Sequence, residues 1–253
     1  MPYPAHVSDA AYCYDGSYAG FLCCIFESYT RREIPSAVLG PAEGQITLFG
    51  TETIATDPTH ARRVANGLTR LGLMVRERVM TGFLSTEEEK DLILLRFARR
   101  CFDEGPRAVQ MLGDPDVHAA FVLERNVNNE VCRFIEFIRF EEKDGMLGSV
   151  IHPKNNVLPL LRGHFCSRLP DEDFLIFDAA HGTALLRQSG HVQYLAMEHY
   201  EPAHDADELN WQALWKRFFH ALTIEERRNA KAQMNHAPKR FWGGMVEMRE
   251  PYI

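Results

Sequence analysis

Near residue 134 the hydrophobic pattern changes period, and this change limits the fold more than any other feature of the chain. Before it, apolar residues recur at helical spacing; after it, short alternating runs are divided by turn residues. Phe134 to Glu141 and Met146 to His152 are expected to pair as a hairpin around Lys143-Asp144-Gly145, because Asp-Gly tolerates the positive φ of a tight turn. Asn156 to Arg168 reads as a helix with Val157, Leu160, Leu161 and Phe165 on one face. Phe174 to Phe177 and Ala184 to Arg187 read as strands joined by His181-Gly182-Thr183, and Val192 to Ala196 as a further strand.

The first half reads mainly as helix. Ala11 to Tyr14 is expected as a short strand ended by Asp15-Gly16. Ser17 then caps a helix from Tyr18 to Arg31. Gln45 to Phe49 and Glu52 to Ala55 are candidate strands. Asp57 caps a helix that opens on Pro58 and runs to about Arg70. Ser85-Thr86-Glu87-Glu88 is a capping signal for Glu89 to Phe102, and Pro115 to about Val131 is a third helical stretch. The expected architecture is therefore α+β: a helical region over 1–133, a small antiparallel sheet with one packed helix over 134–200, and a helical tail over 201–253, all as one compact unit.

The tail stands out in its charge. Trp211 to Trp242 holds six aromatic and seven basic residues against two glutamates, a formal +5 in a chain of −7. A basic, aromatic segment on an acidic protein suits an anionic, planar partner, and nucleic acid fits that description. The expected phosphate contacts are Arg227, Arg228, Lys231, Lys239 and Arg240, with Trp242 placed to stack on a base. Trp215, Phe218, Phe219 and Leu222 recur at helical spacing and are expected in the core. Residues 171–210 carry nine acids against Arg187, which reads as a solvated acidic rim. A second basic set, Arg62, Arg63, Arg70, Arg76 and Arg78, reads as a solvated helix face.

The six cysteines lack the spaced pairs that wrap zinc or iron–sulfur clusters, so reduced thiols and no metal or other cofactor are expected. No apolar run approaches the ~20 residues of a membrane span. The N-terminus lacks a basic patch followed by an apolar stretch, so the cytoplasm is the expected compartment.

Two further groups could carry chemistry. Asp15-Gly16-Ser17 stands at a helix start, where free N–H groups hold phosphates; the alternative is that Asp15 and Ser17 merely cap the helix. His164 and Arg168 lie four apart on one helix face, and Asp178 closes the next strand. Together they could do acid–base work or bind phosphate, or form a structural ion pair.

Three stretches carry a family resemblance: Tyr14-Asp15-Gly16-Ser17-Tyr18-Ala19-Gly20-Phe21, then Asn156 to Leu160 with His164-Phe165 and Arg168, then Leu214 to Phe219 through Pro238-Lys239-Arg240-Phe241-Trp242. With them the chain resembles a bacterial family of DNA metabolism and DNA repair proteins built on a domain of unknown function. The resemblance implies an accessory role beside a radical-SAM DNA modification or repair protein. Some members are fused to a uracil-DNA-glycosylase-like domain, which is not expected here because the sequence stops at Ile253. The chain lacks the three-cysteine cluster of a radical-SAM enzyme, so it would be the companion. It departs from the family at Cys132 and Glu136, where His and Gly are usual, and at Asn229-Ala230 in place of Asn-Pro.

The leading expectation is thus a DNA repair or modification accessory protein that binds nucleic acid and works with a radical-SAM partner. The alternatives are an enzyme, hydrolase or glycosylase-like, using His164 and Asp178, or a protein-interaction scaffold presenting the acidic 171–210 segment.

Overall fold

A computed structural model describes residues 6–41, 50–201, 206–227 and 229–248. Its contacts divide the chain into two units, Met1–Asn128 and Asn129–Ile253. The architecture is α+β, as the change of period implies.

In the first unit, β1 (His6–Val7) precedes β2 (Ala11–Cys13), which feeds α1 (Tyr18–Thr30). Strands β3 (Glu33–Ile34), β4 (Ala37–Leu39) and β5 (Thr51–Thr53) follow. Then come α2 (Pro58–Leu71), α3 (Leu73–Phe83) and α4 (Lys90–Glu104). The expected strand at Gln45 to Phe49 lies outside the described residues. This half is not purely helical: β2 is the centre of a small parallel sheet, flanked by β4 and β5, and β1 pairs in parallel with β3. The route through α1 between β2 and β4 returns the chain in the same direction, which a tight hairpin could not do. Tyr12, Phe21, Ile25, Leu68, Leu94, Leu95 and Phe97 form the fully buried centre of the core.

Local chemistry sets the helix starts. Ser17 Oγ accepts from the Gly20 N–H at 2.9 Å, and Asp57 Oδ1 accepts from Thr59 and His60. Hydrogen bonds, from Ser17 and Thr56 to Asp15 and from Thr59 and His60 to Asp57, hold both carboxyls below the ordinary carboxylate range. Their folded pKa values are depressed. The contribution to stability is therefore present above the unfolded value near ~4 and is lost as pH falls through the folded value. Ser17→Ala should destabilise the first unit by about 0.5–2 kcal/mol in urea unfolding followed by circular dichroism. The Ser85 signal works differently: Ser85 Oγ accepts from Glu87 N–H, while Glu89 takes a left-handed φ of 60° and α4 starts at Lys90.

The helix α5 (Pro115–Phe137) belongs to the first unit as far as Asn128. It extends through the first part of the strand expected at Phe134 to Glu141. Val127, Val131 and Phe134 are all buried at spacings of four and three, so the helical period continues to Phe137 and only Glu141–Lys143 remains as β6.

In the second unit β6 and β7 (Met146–Ile151) form the expected hairpin, with φ of 51° at Asp144 and 79° at Gly145. Helix α6 (Leu158–Arg168) leads to β8 (Asp173–Asp178), and β9 (Thr183–Gln188) and β10 (His191–Ala196) complete a five-stranded sheet of order β10-β9-β8-β7-β6. The sheet is mixed rather than antiparallel throughout. β7 and β8 are parallel because α6 carries the chain back across the sheet between them. The other pairings are antiparallel, and β9–β10 turns on Ser189 and Gly190, both at positive φ.

The tail comprises α7 (Ala206–Leu222), a 3-10 turn at Glu225–Arg227, α8 (Ala230–His236) and a 3-10 segment at Lys239–Gly244. The helix expected from Ile224 to Gln233 is broken because Asn229 is itself an N-cap, its side chain accepting from Ala232 N–H at 3.0 Å. The core expected on α7 does not form: Phe218 is 53% exposed, Trp215 and Leu222 are also exposed, and Phe219 is half-buried.

Candidate nucleic-acid interface

Within the second unit the C-terminal segment is anchored by its aromatics. Phe241 is buried and meets Phe134 edge-on at 5.0 Å between ring centres, with Phe137 at 6.1 Å. The Trp242 indole N–H donates to the Ala237 carbonyl at 2.8 Å. Pro238 begins the segment because α8 has already ended at His236. Beside this plug lies a cavity of about 150 Å3, walled by Phe134, Phe137 and Phe241 and edged by Arg139, Glu141, Ser149, His152 and Arg240.

Three buried carboxylates, Glu130, Glu141 and Glu208, organise the surroundings. Glu130 Oε1 accepts from Lys154 N–H, and Glu130 Oε2 accepts from the backbone and side-chain nitrogens of Asn155, at 2.7–2.9 Å. Arg240 Nη1 lies 3.5 Å from Glu130 Oε1, and the Arg240 Cζ stands 4.7 Å from the Phe241 ring centre. Arg240 is half exposed and is held by a structural carboxylate. On the other side Arg139 bridges Glu208 at 2.6 Å and Glu141 at 3.4 Å. Glu208, in the supposedly solvated acidic stretch, is buried. Burial, followed by the charge of Glu141, pushes the Tyr200 hydroxyl above its ordinary value.

The other cations of the segment stay in solvent. Arg227, Lys231 and Lys239 are exposed, and none of them forms an ion pair with any described residue. Lys239 Nζ stands 5.8 Å from the centre of the half-buried Trp242 ring. Arg228 lies outside the described residues. The described acids of 171–210 therefore form no ion pair with these three exposed cations, and Lys239 is the one that stands next to an anchored ring, that of Trp242.

His164, Arg168 and Asp178 do not meet as one bonded group. In a strand–helix–strand crossover the helix runs opposite to its strands, so Arg168, at the end of α6, neighbours the start of β8, whereas Asp178 ends that strand. Arg168 is exposed. Nε2 of His164 is buried without a hydrogen-bond partner among the described residues, and its ring meets Phe165 edge-on. Asp178, 1% exposed, accepts instead from the backbone N–H groups of Ala180 and His181, and its Oδ2 lies 2.7 Å from His181 Nδ1. A buried carboxylate orienting a half-buried imidazole is an arrangement used in acid–base chemistry. Sequence reasoning missed His181; its signal was a His three residues after an acid at a strand end.

Asp15-Gly16-Ser17 behaves as a cap. Asp15 accepts from Ser17 N–H, Ser17 Oγ and Thr56 Oγ1, and Ser17 in turn serves Gly20. The N–H groups of Ser17 and Gly20 are spent on the protein's own oxygens, beside a carboxylate that repels anions.

Among the described residues no helix is long and apolar enough to cross a membrane, and no cluster of three or more His, Cys, Asp or Glu side chains could hold a metal ion. No curated protein and no solved structure matches the chain. Residues 88–247, which include the cavity, the Glu130 bonds and the anchored segment, match a family described as a domain of unknown function, DUF4130. With well over half its length matched, the chain belongs to that family.

Proposed function

We propose that this protein binds nucleic acid through its C-terminal segment, as an accessory in DNA repair or modification. The observation that carries the reading is that Arg227, Lys231 and Lys239 are exposed and form no ion pair among the described residues, in a segment whose Phe241 is anchored in the core and whose Lys239 stands next to the Trp242 ring. Such a surface offers phosphate contacts at fixed positions, and Trp242 offers a ring for an unpaired base. Arg240 contributes from its exposed half, while its other role is to hold Glu130. The family resemblance read from the sequence supports DNA as the polymer and a radical-SAM protein as the partner.

The test is a salt titration of binding to duplex and single-stranded DNA. Lys231→Ala/Lys239→Ala should weaken binding about equally across sequences and lower the slope of log K against log salt by roughly one unit per lost phosphate contact. Unchanged affinity and slope in the folded double variant would overturn the proposal. Co-purification with a radical-SAM protein tests the partnership separately.

A further inference from the structure

The first unit carries two adjoining hollows on α2. One, of about 580 Å3, is lined by Phe26, Tyr29 and Phe102 with Arg63 and Arg70, and by one carboxylate, Asp103, which accepts from the Tyr29 hydroxyl at 3.1 Å. The second, of about 280 Å3, is lined by Thr59, Arg62, Arg63, Asn66 and Arg70. Arg63 and Arg70 belong to both, so the hollows meet along one side of the helix. The larger volume lies in the ~300–1,000 Å3 range of small-molecule sites.

Arg62, Arg63 and Arg70 are exposed, and none forms an ion pair with any described residue. The Arg63 Cζ stands 5.8 Å from the Phe26 ring centre, and His60 stacks on one face of that ring at 3.8 Å and 14°. Phe26 is thereby held as a fixed platform at the edge of the groove. Gly67 keeps α2 close to Phe102: a Cβ there would sit 2.8 Å from Phe102 Cε1. Glycine in the middle of α2 costs helix propensity, and here it lets the Phe102 ring lie beneath the helix as floor.

A half-exposed aromatic floor under two guanidinium groups two turns apart suits a ligand with a planar apolar face and an anionic group. We infer that this groove is a nucleotide site, the base lying over Phe26 and Phe102 and the phosphate meeting Arg63 and Arg70. The ligand is either a free mononucleotide or one nucleotide of a single strand; both present the same base and phosphate. The site uses none of the residues assigned to the C-terminal segment and does not depend on that assignment.

Calorimetry on the full chain with AMP, adenosine, inorganic phosphate and an eight-residue dA oligonucleotide tests it. AMP should bind at least tenfold more tightly than adenosine or phosphate, because each of these lacks half of the recognised chemistry. Arg63→Ala/Arg70→Ala, both at exposed positions, should lose at least tenfold in AMP affinity, and Gly67→Leu should block the groove. AMP affinity should be unchanged in Lys231→Ala/Lys239→Ala, which separates this site from the C-terminal one. Oligonucleotide binding tighter than AMP, and sensitive to the Arg63/Arg70 substitutions, identifies a strand as the source; equal or weaker binding identifies the free nucleotide. Undetectable binding of both AMP and the oligonucleotide at millimolar concentration overturns the inference. So does AMP binding that is the same in the folded Arg63→Ala/Arg70→Ala variant.

Discussion

Replacing Arg78 with alanine is expected to cost the first unit about 3 kcal/mol, because it removes a buried guanidinium from a part-buried charge pair and a buried hydrogen bond. The side chain is 5% exposed. Its Nε donates to Glu124 Oε2 at 2.7 Å and its Nη1 donates to the Val109 carbonyl at 2.8 Å. The guanidinium also lies 5.6 Å from the Phe97 ring centre and 5.3 Å from that of Phe121. Alanine removes the donors, leaves Glu124 without its cation and opens a void between two phenylalanines. Arg78→Lys should recover only part of the loss, since one ammonium cannot reproduce two donors splayed across a planar fork. Urea unfolding followed by circular dichroism reads the effect. All three tryptophans lie in the second unit, so their fluorescence serves as the internal control. A loss below about 1 kcal/mol would show that the pair is dispensable.

Glu130→Ala should have a comparable effect on the second unit, about 3–5 kcal/mol. Glu130 is 1% exposed and receives three hydrogen bonds from Lys154 and Asn155, with Arg240 at 3.5 Å. Its removal strands three donors in the interior and frees Arg240, so the Lys154–Asn155 corner and the C-terminal anchor should loosen together. Glu130→Gln should be nearly as harmful, because the amide nitrogen would face N–H donors where an oxygen is required. Tryptophan fluorescence during urea unfolding measures the loss, and hydrogen exchange at Asn155 locates it. Wild-type stability and protection in the alanine variant would remove Glu130 from its organising role.

These two residues also mark where sequence reasoning stopped. Arg78 sits in a run with Arg76 and reads as one more solvated charge, yet it is a buried pillar whose partner lies 46 residues away. Glu130 stands in an ordinary helical stretch, and nothing near it in sequence announces that the corner after β7 will close on it. The helix bearing Trp215, Phe218 and Leu222 has the spacing of a core helix, yet it presents these three side chains to solvent. Hydrophobic period establishes that a face exists; it does not say what covers it. The Asp178 site follows the same rule: its partner is the neighbouring His181, because the strand order places Arg168 at the opposite end of β8.

The sequence alone determined whatever is decided within a few residues. Ser17 and Asp57 begin their helices, Asp144-Gly145 turns its hairpin, and the tail's excess of cations is set by composition, because caps, positive-φ turns and local charge need no distant partner. Tertiary structure alone decided the parallel pairing of β7 with β8, the burial of Arg78 and Glu130, and which described cations of the tail are exposed. Each of these depends on which groups the folded chain brings within a few ångströms, where desolvation and pairing energies of several kcal/mol outweigh local propensities of less than about 1 kcal/mol per residue.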